Sequence, residues 1–147
     1  MRIVLDTNVL SSALFKKEST SAQIRSLWRS GELELLISPE MLSELNRVIA
    51  YPRVQKRLIY TEHEIARFLD LLTTAGTLLS PQAQFTVVRD DPHDDKFVTL
   101  AVARQANYLI SGDNHLLNLE SIFGVTILTP RAFLIRWDAQ RKGDQIG

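Results

Sequence analysis

The chain has 147 residues, 45% of them apolar, and its 17 basic side chains balance 17 acidic ones. That length suits a single domain over residues 1–147 with one ordinary core, and the apolar content excludes a disordered chain. There is no cysteine, which excludes a disulfide framework and a cysteine-bearing zinc site. No stretch approaches the ~18 apolar residues of a membrane span, so a soluble, cytoplasmic protein is expected.

The elements alternate along the chain. Arg2-Ile-Val-Leu5 reads as a short apolar strand, followed by a helix from about Thr7-Asn8, whose short polar side chains suit a helix N-terminus. A second helix is expected from about Ser19 to Ser30, closed by Gly31 as a left-handed cap. Leu33 to Ile37 is the second strand. Ser38-Pro39-Glu40 starts the next helix, with Ser as cap and Pro at the first helical position. Met41, Leu45, Val48 and Ile49 form its apolar stripe, and Pro52 ends or kinks it. Thr61-x-x-Glu64 is a capping box for a helix through Ile65, Phe68, Leu69 and Leu72, closed by Gly76.

Phe85 to Val88 is a strand candidate, and a helix follows Pro92 at about 94–105. Tyr108 to Ile110 and Val125 to Leu128 are strands. Pro130 opens a final helix through Phe133, Leu134 and Trp137, and the last eight or so residues read as a loose tail. Short, wholly apolar strands separated by helices indicate a mostly parallel sheet covered on both faces. The fold class is therefore α/β. Active sites of such sheets collect at the carboxyl ends of strands.

Four acids stand out. Asp6 and Asp113 each directly follow or closely trail an apolar strand. Glu44 shares a helix face with Met41 and Val48. Asp95 opens a helix, in the acid-rich loop Arg89-Asp-Asp-Pro-His-Asp-Asp-Lys96, with Asp94 as its nearest competitor. Each has an ordinary reading. Asp6, Asp95 and Asp113 suit helix N-termini, where a carboxylate accepts amide hydrogen bonds and meets the dipole. Glu44 at the edge of its stripe would pair with Arg47 or another base. Taken together, acids gathered by a fold repel one another and ask for a cation.

Their order resembles the PIN domain family of ribonucleases. The matching words are Ile3-Val-Leu-Asp-Thr-Asn-Val-Leu10, Ser38-Pro-Glu-Met-Leu-Ser-Glu-Leu45, Asp94-Asp-Lys-Phe-Val-Thr-Leu-Ala-Val-Ala103 and Leu109-Ile-Ser-Gly-Asp113. The resemblance implies a three-layer α/β/α sandwich with a central, mostly parallel sheet. It also implies Mg²⁺- or Mn²⁺-dependent hydrolysis of RNA phosphodiesters by a metal-activated water, leaving 5′-phosphate and 3′-hydroxyl ends. Asp6, Glu44, Asp95 and Asp113 would be catalytic. Asp6, Asp95 and Asp113 would hold metal directly and Glu44 through water, with Asn8, Ser111 and Asp94 in support. His115 stands where many members carry an acid or amide. Within the family the likeness is to the VapC-type toxins of toxin–antitoxin pairs, which implies a homodimer and a small antitoxin partner.

Oxygen donors suit these hard cations, and a bound cation shields the phosphate and activates water. Phosphate contacts are expected from Arg53, Lys56, Arg57 and Lys96, with Lys16-Lys17 as a further basic stretch. Lys96 has a plainer alternative, balancing the acids beside it. His63, His93 and His115 have no ligand spacing. Apolar side chains on the helices at 19–30 and 61–74 would form a dimer or antitoxin groove if they exceed what the core needs.

The competing reading is a catalytically silent PIN-like module that binds RNA or protein. A response-regulator-like domain fits less well. It would need paired acids after the first strand and a Lys after the last, and this chain has one Asp6 and no such Lys. A DNA-directed flap nuclease would need larger extra elements.

Overall fold

The computed structural model describes residues 1–75, 77–78 and 95–146. The expected strand at Phe85–Val88, the Gly76 cap, Pro92, His93 and Asp94 lie outside the described residues.

The chain opens with β1 (Arg2–Leu5), α1 (Thr7–Ser12) and α2 (Thr20–Arg29). Asp6 caps α1 and Ser19 caps α2, each accepting a backbone N–H from inside the first turn. The end of α2 is a Schellman motif. The Gly31 amide donates to Trp28 O and the Glu32 amide to Leu27 O, both at 3.0 Å, and Gly31 takes φ +84°, which costs glycine least.

Next come β2 (Glu34–Ile37), α3 (Pro39–Ile49), α4 (Pro52–Gln55) and α5 (Glu62–Ala75). Ser38 caps α3 through the Met41 amide at 3.1 Å. Pro52 lies beyond the end of α3 and opens α4 at its first turn, where its missing N–H is no loss. The Thr61–Glu64 capping box forms, with the Glu64 amide donating to Thr61 Oγ1 at 3.1 Å.

The described chain ends with β3 (Thr77–Leu78), α6 (Asp95–Ala103), β4 (Tyr108–Ile110), α7 (Asn114–Leu117), β5 (Ser121–Ile122), β6 (Val125–Leu128) and α8 (Pro130–Ile146). The sequence reading contains no counterpart to the two-residue strands β3 and β5, whose length is below what periodicity detects. It also expects a loose tail of eight residues, whereas α8 continues through Ile146. No proline interrupts that polar segment, and its Ala, Gln, Arg and Lys are good helix formers.

The strands form one sheet in the order β3-β2-β1-β4-β6-β5. All neighbours are parallel except β5 and β6. That hairpin turns on Phe123 (φ 44°) and Gly124 (φ 86°), two left-handed residues in succession, as a type I′ turn requires. Successive residues of a strand face opposite sides. Ile3, Val4, Leu5, Leu35, Leu36, Ile37, Leu109 and Ile110 are all buried, so both faces of the sheet are covered, as in a three-layer α/β/α arrangement.

The helices spend their apolar faces on this core. Ile24 and Trp28 of α2, and Ile65, Phe68 and Leu72 of α5, are buried, with Trp28 and Phe68 packed edge to face at 6.4 Å. Leu27 of α2 and Leu69 and Leu71 of α5 pack against this core and are only partly buried. Among the described residues no helix is long and apolar enough to cross a membrane.

Candidate functional site

The strand order reverses at β1. The chain moves from β1 outward to β2 and β3, then returns to place β4 on the other side of β1. Parallel sheets open a crevice at such a switch point, beyond the carboxyl ends of the two strands. Leu5 pairs with Ile110, so the residues that follow, Asp6 and Ser111-Gly112-Asp113, meet there.

Three side chains build this site. Asp6 is buried, with 3% of its surface exposed. Its Oδ1 accepts the Val9 amide at 2.8 Å, and its Oδ2 accepts the Ser111 hydroxyl. Ser111 is fully buried, and its Oγ also accepts the Asp113 amide at 2.9 Å. Asp113 is half-buried and caps α7 through the His115 amide at 2.8 Å. The ordinary cap readings of Asp6 and Asp113 are thus correct as far as they go. Both acids serve as caps and are still tied together through Ser111.

Burial pushes the Asp6 carboxyl above its usual range. Hydrogen bonds from Ser111, Val9 and Gly112 pull it back, and the neighbouring Asp113 charge adds to the rise. A desolvated carboxylate beside a second carboxylate is short of positive charge. Both supply oxygen donors only, the set that Mg²⁺ and Mn²⁺ accept. The chemistry of this end of the site therefore fits a hard divalent ion.

Ser111→Ala should show how much the bridge matters. It leaves Asp6 Oδ2 and the Asp113 amide without their partner, so we expect a loss of about 1–3 kcal/mol in urea unfolding. Because Ser111 lowers the Asp6 proton affinity, the acidic limb of any Asp6-dependent activity should move to higher pH.

Glu44 sits on the shoulder of the buried stripe of α3, three residues after Met41 and one before Leu45, both fully buried. Its carboxylate is bound directly by the Lys96 ammonium. The side chains are 22% and 9% exposed respectively, and the Lys96 ammonium also lies 4.9 Å from the centre of the Phe97 ring. The sequence offers Arg47 or another base as the partner of Glu44, and for Lys96 a role in balancing the acids. The base is Lys96. A signal was present. Lys96 lies four residues before Leu100 on α6, so it falls beside the buried stripe, and a lysine there needs an acid.

Among the described residues, no three acidic or histidine side chains form one metal-holding group. Asp6 and Asp113 come together through Ser111, and Glu44 is paired with Lys96. Asp95 is the first residue of α6, and its side chain, like Asp94, lies outside the described residues. Asn8 is exposed and takes no part in the Asp6–Ser111 bridge. Arg53, Lys56 and Arg57 are exposed, and the Arg57 guanidinium lies over the Phe15 ring at 4.2 Å. That contact brings the second basic stretch beside the loop that carries Lys16 and Lys17. His63 and His115 are exposed and on different helices.

The mostly parallel sheet carries this acid pair at its switch point. The family model for the PIN domain matches residues 2–115, more than half of the chain, and the chain belongs to that family. PIN domains are generally nucleases and typically use divalent metals. The chain is also 29% identical over 119 residues to the uncharacterized protein MJ1680 of Methanocaldococcus jannaschii, covering 81% of this chain and 75% of that protein.

Proposed function

We propose that this protein is an endoribonuclease dependent on Mg²⁺ or Mn²⁺, acting as the toxin of a toxin–antitoxin pair. The observation that carries the nuclease reading is the Asp6–Ser111–Asp113 bridge at the switch point of the sheet. Asp6 and Asp113 would hold the ion, and Asp95 would join them from the start of α6. When bound, the ion would supply an activated water and neutralise charge at the scissile phosphate.

The chain's own residues do the rest. Ser111 holds the Asp6 carboxylate in one orientation by donating to it. The turn from β4 into α7 fixes Asp113 through its cap. Arg53, Lys56 and Arg57, exposed on and beside α4, would contact the phosphate backbone. The toxin role, the antitoxin and the homodimer come from the family likeness.

Incubation of the purified protein with a structured RNA tests the reading. Cleavage should require added Mg²⁺ or Mn²⁺, stop on chelation, and return when the ion is restored. RNA binding without cleavage under any divalent ion would favour the silent binding module instead.

A further inference from the structure

Two loops that touch one another carry a cluster of cations. Lys16 and Lys17 follow α1, while Arg53, Lys56 and Arg57 lie on and just after α4. The Ile59 amide donates to Leu14 O at 3.2 Å, which ties the loops together. The Arg57 guanidinium lies 4.2 Å from the centre of the Phe15 ring. We propose that this surface is a subsite for one unpaired nucleotide. Its base stacks on the outer side of the Arg57 guanidinium, and the neighbouring cations hold the phosphates beside it. The inference deepens the ribonuclease reading and rests on it.

Charge placement is the first support. Residues 15–19 and 51–59 carry five basic side chains against the single acid Glu18, in a chain whose charges cancel. The remainder of the molecule is therefore net acidic and repels a polyanion, so RNA is steered to this surface. All five cations are exposed, and among the described residues none is held in an ion pair.

Preorganisation is the second. A long side chain loses rotamer freedom when it binds a ligand. Arg57 has given up part of that freedom already, because the half-buried Phe15 ring supports one side of its guanidinium. Its backbone is fixed as well, through its own amide donating to Val54 O at 2.9 Å. A guanidinium seated on an aromatic ring presents its other side outward, and bases stack on guanidinium planes as they do on rings. Tyr51 and Ile59, at 41% and 46% exposed, stand in the same segment. Exposed aromatic surface set among cations suits a groove for a single strand. A base inside a duplex is already stacked on both faces, so only an unpaired one can use this position. The subsite also lies near the acid pair. Asp6 caps α1, and the chain reaches Phe15 just past the end of this short helix, about 9 Å long.

Fluorescence anisotropy tests the inference, with a labelled single-stranded RNA and with the same strand annealed to its complement. Chelator is present throughout, so that nothing is cleaved. Arg57→Lys keeps the charge and removes the plane. It should weaken binding of the single strand by about fivefold or more, leave the duplex within about twofold, and leave the salt dependence unchanged. Phe15→Leu should do the same, since it removes the support beneath Arg57. Lys56→Gln should instead weaken both RNAs and lower the single-strand salt slope by about 0.7.

Equal single-strand affinity for Arg57→Lys and the unaltered protein, or equal losses on both RNAs, overturns the inference. The surface would then serve phosphates alone or a protein partner. Arg57 is exposed, so its variant decides the matter even if Phe15→Leu does not fold. Cleavage of RNA by the unaltered protein, with single-strand binding unmoved by Arg57→Lys, removes the subsite and leaves the ribonuclease reading standing. A protein that neither binds nor cleaves RNA removes both.

Discussion

Asp6→Asn is expected to abolish RNA cleavage, by about 10³-fold or more, while leaving the protein folded. The asparagine keeps the shape of the side chain and caps a helix about as well as aspartate, so the Val9 contact and the start of α1 survive. It loses the negative charge that would hold the ion, and several kcal/mol of transition-state stabilisation corresponds to at least a thousandfold in rate. Steady-state cleavage of a labelled RNA in saturating Mn²⁺ measures it.

The same substitution should make the metal-free protein more stable, a result that a purely structural aspartate would not give. Asp6 has an ordinary pKa of 3.8 and a higher one when folded, chiefly through burial. Between those two values the native state carries a proton that the unfolded chain has released. Stability of the metal-free protein therefore falls as pH rises through that window. Asp6→Asn removes this cost. Its melting temperature should exceed that of the unaltered protein near neutral pH. The gap should shrink as the pH approaches about 4. A lower melting temperature for Asp6→Asn at neutral pH would show that the carboxylate is satisfied without a cation.

Leu109→Ala should cost the most stability of any single change considered, about 2–5 kcal/mol. Leu109 is fully buried at the centre of β4, paired with Val4 on one side and Ile127 on the other. Truncation opens a cavity on one face of the sheet, over the strands whose ends carry the acids. Against a typical total of 5–15 kcal/mol, this can consume much of the margin, and urea midpoints measure it directly. A loss under about 1 kcal/mol would mean that the centre of the sheet is less tightly packed than its burial indicates.

Much of the fold was legible because its signals are local. Ser38-Pro39 and the Thr61–Glu64 box announce helix starts through hydrogen bonds made within one turn. Apolar runs such as Leu109-Ile110 announce strands covered on both faces. Sheet order is a different matter. Nothing in the residues of β1 states that β4 will be its neighbour, yet that pairing is what brings Asp6 to Asp113.

The candidate site divides along the same line. Asp6, Ser111 and Asp113 were readable from their places after strands, although the role of Ser111 as the link between the two acids needs three dimensions. Which base pairs with Glu44 needs three dimensions for the same reason. Arg47 is three residues away on one helix, while Lys96 is 52 positions along the chain and reaches Glu44 only through the packing of α6 on α3. The polar C-terminal residues read as a loose tail, yet their helix propensity suits the continuation of α8 to Ile146.

The central claim is that Asp6 and Asp113, tied by Ser111, form the binding place of a divalent ion. Anomalous diffraction from a crystal grown or soaked with Mn²⁺ tests it most directly. A peak about 2.0–2.2 Å from carboxylate oxygens of both Asp6 and Asp113 is the expected result. Mn²⁺ bound elsewhere on the chain, with the Asp6–Ser111–Asp113 bridge left as it stands here, would contradict it.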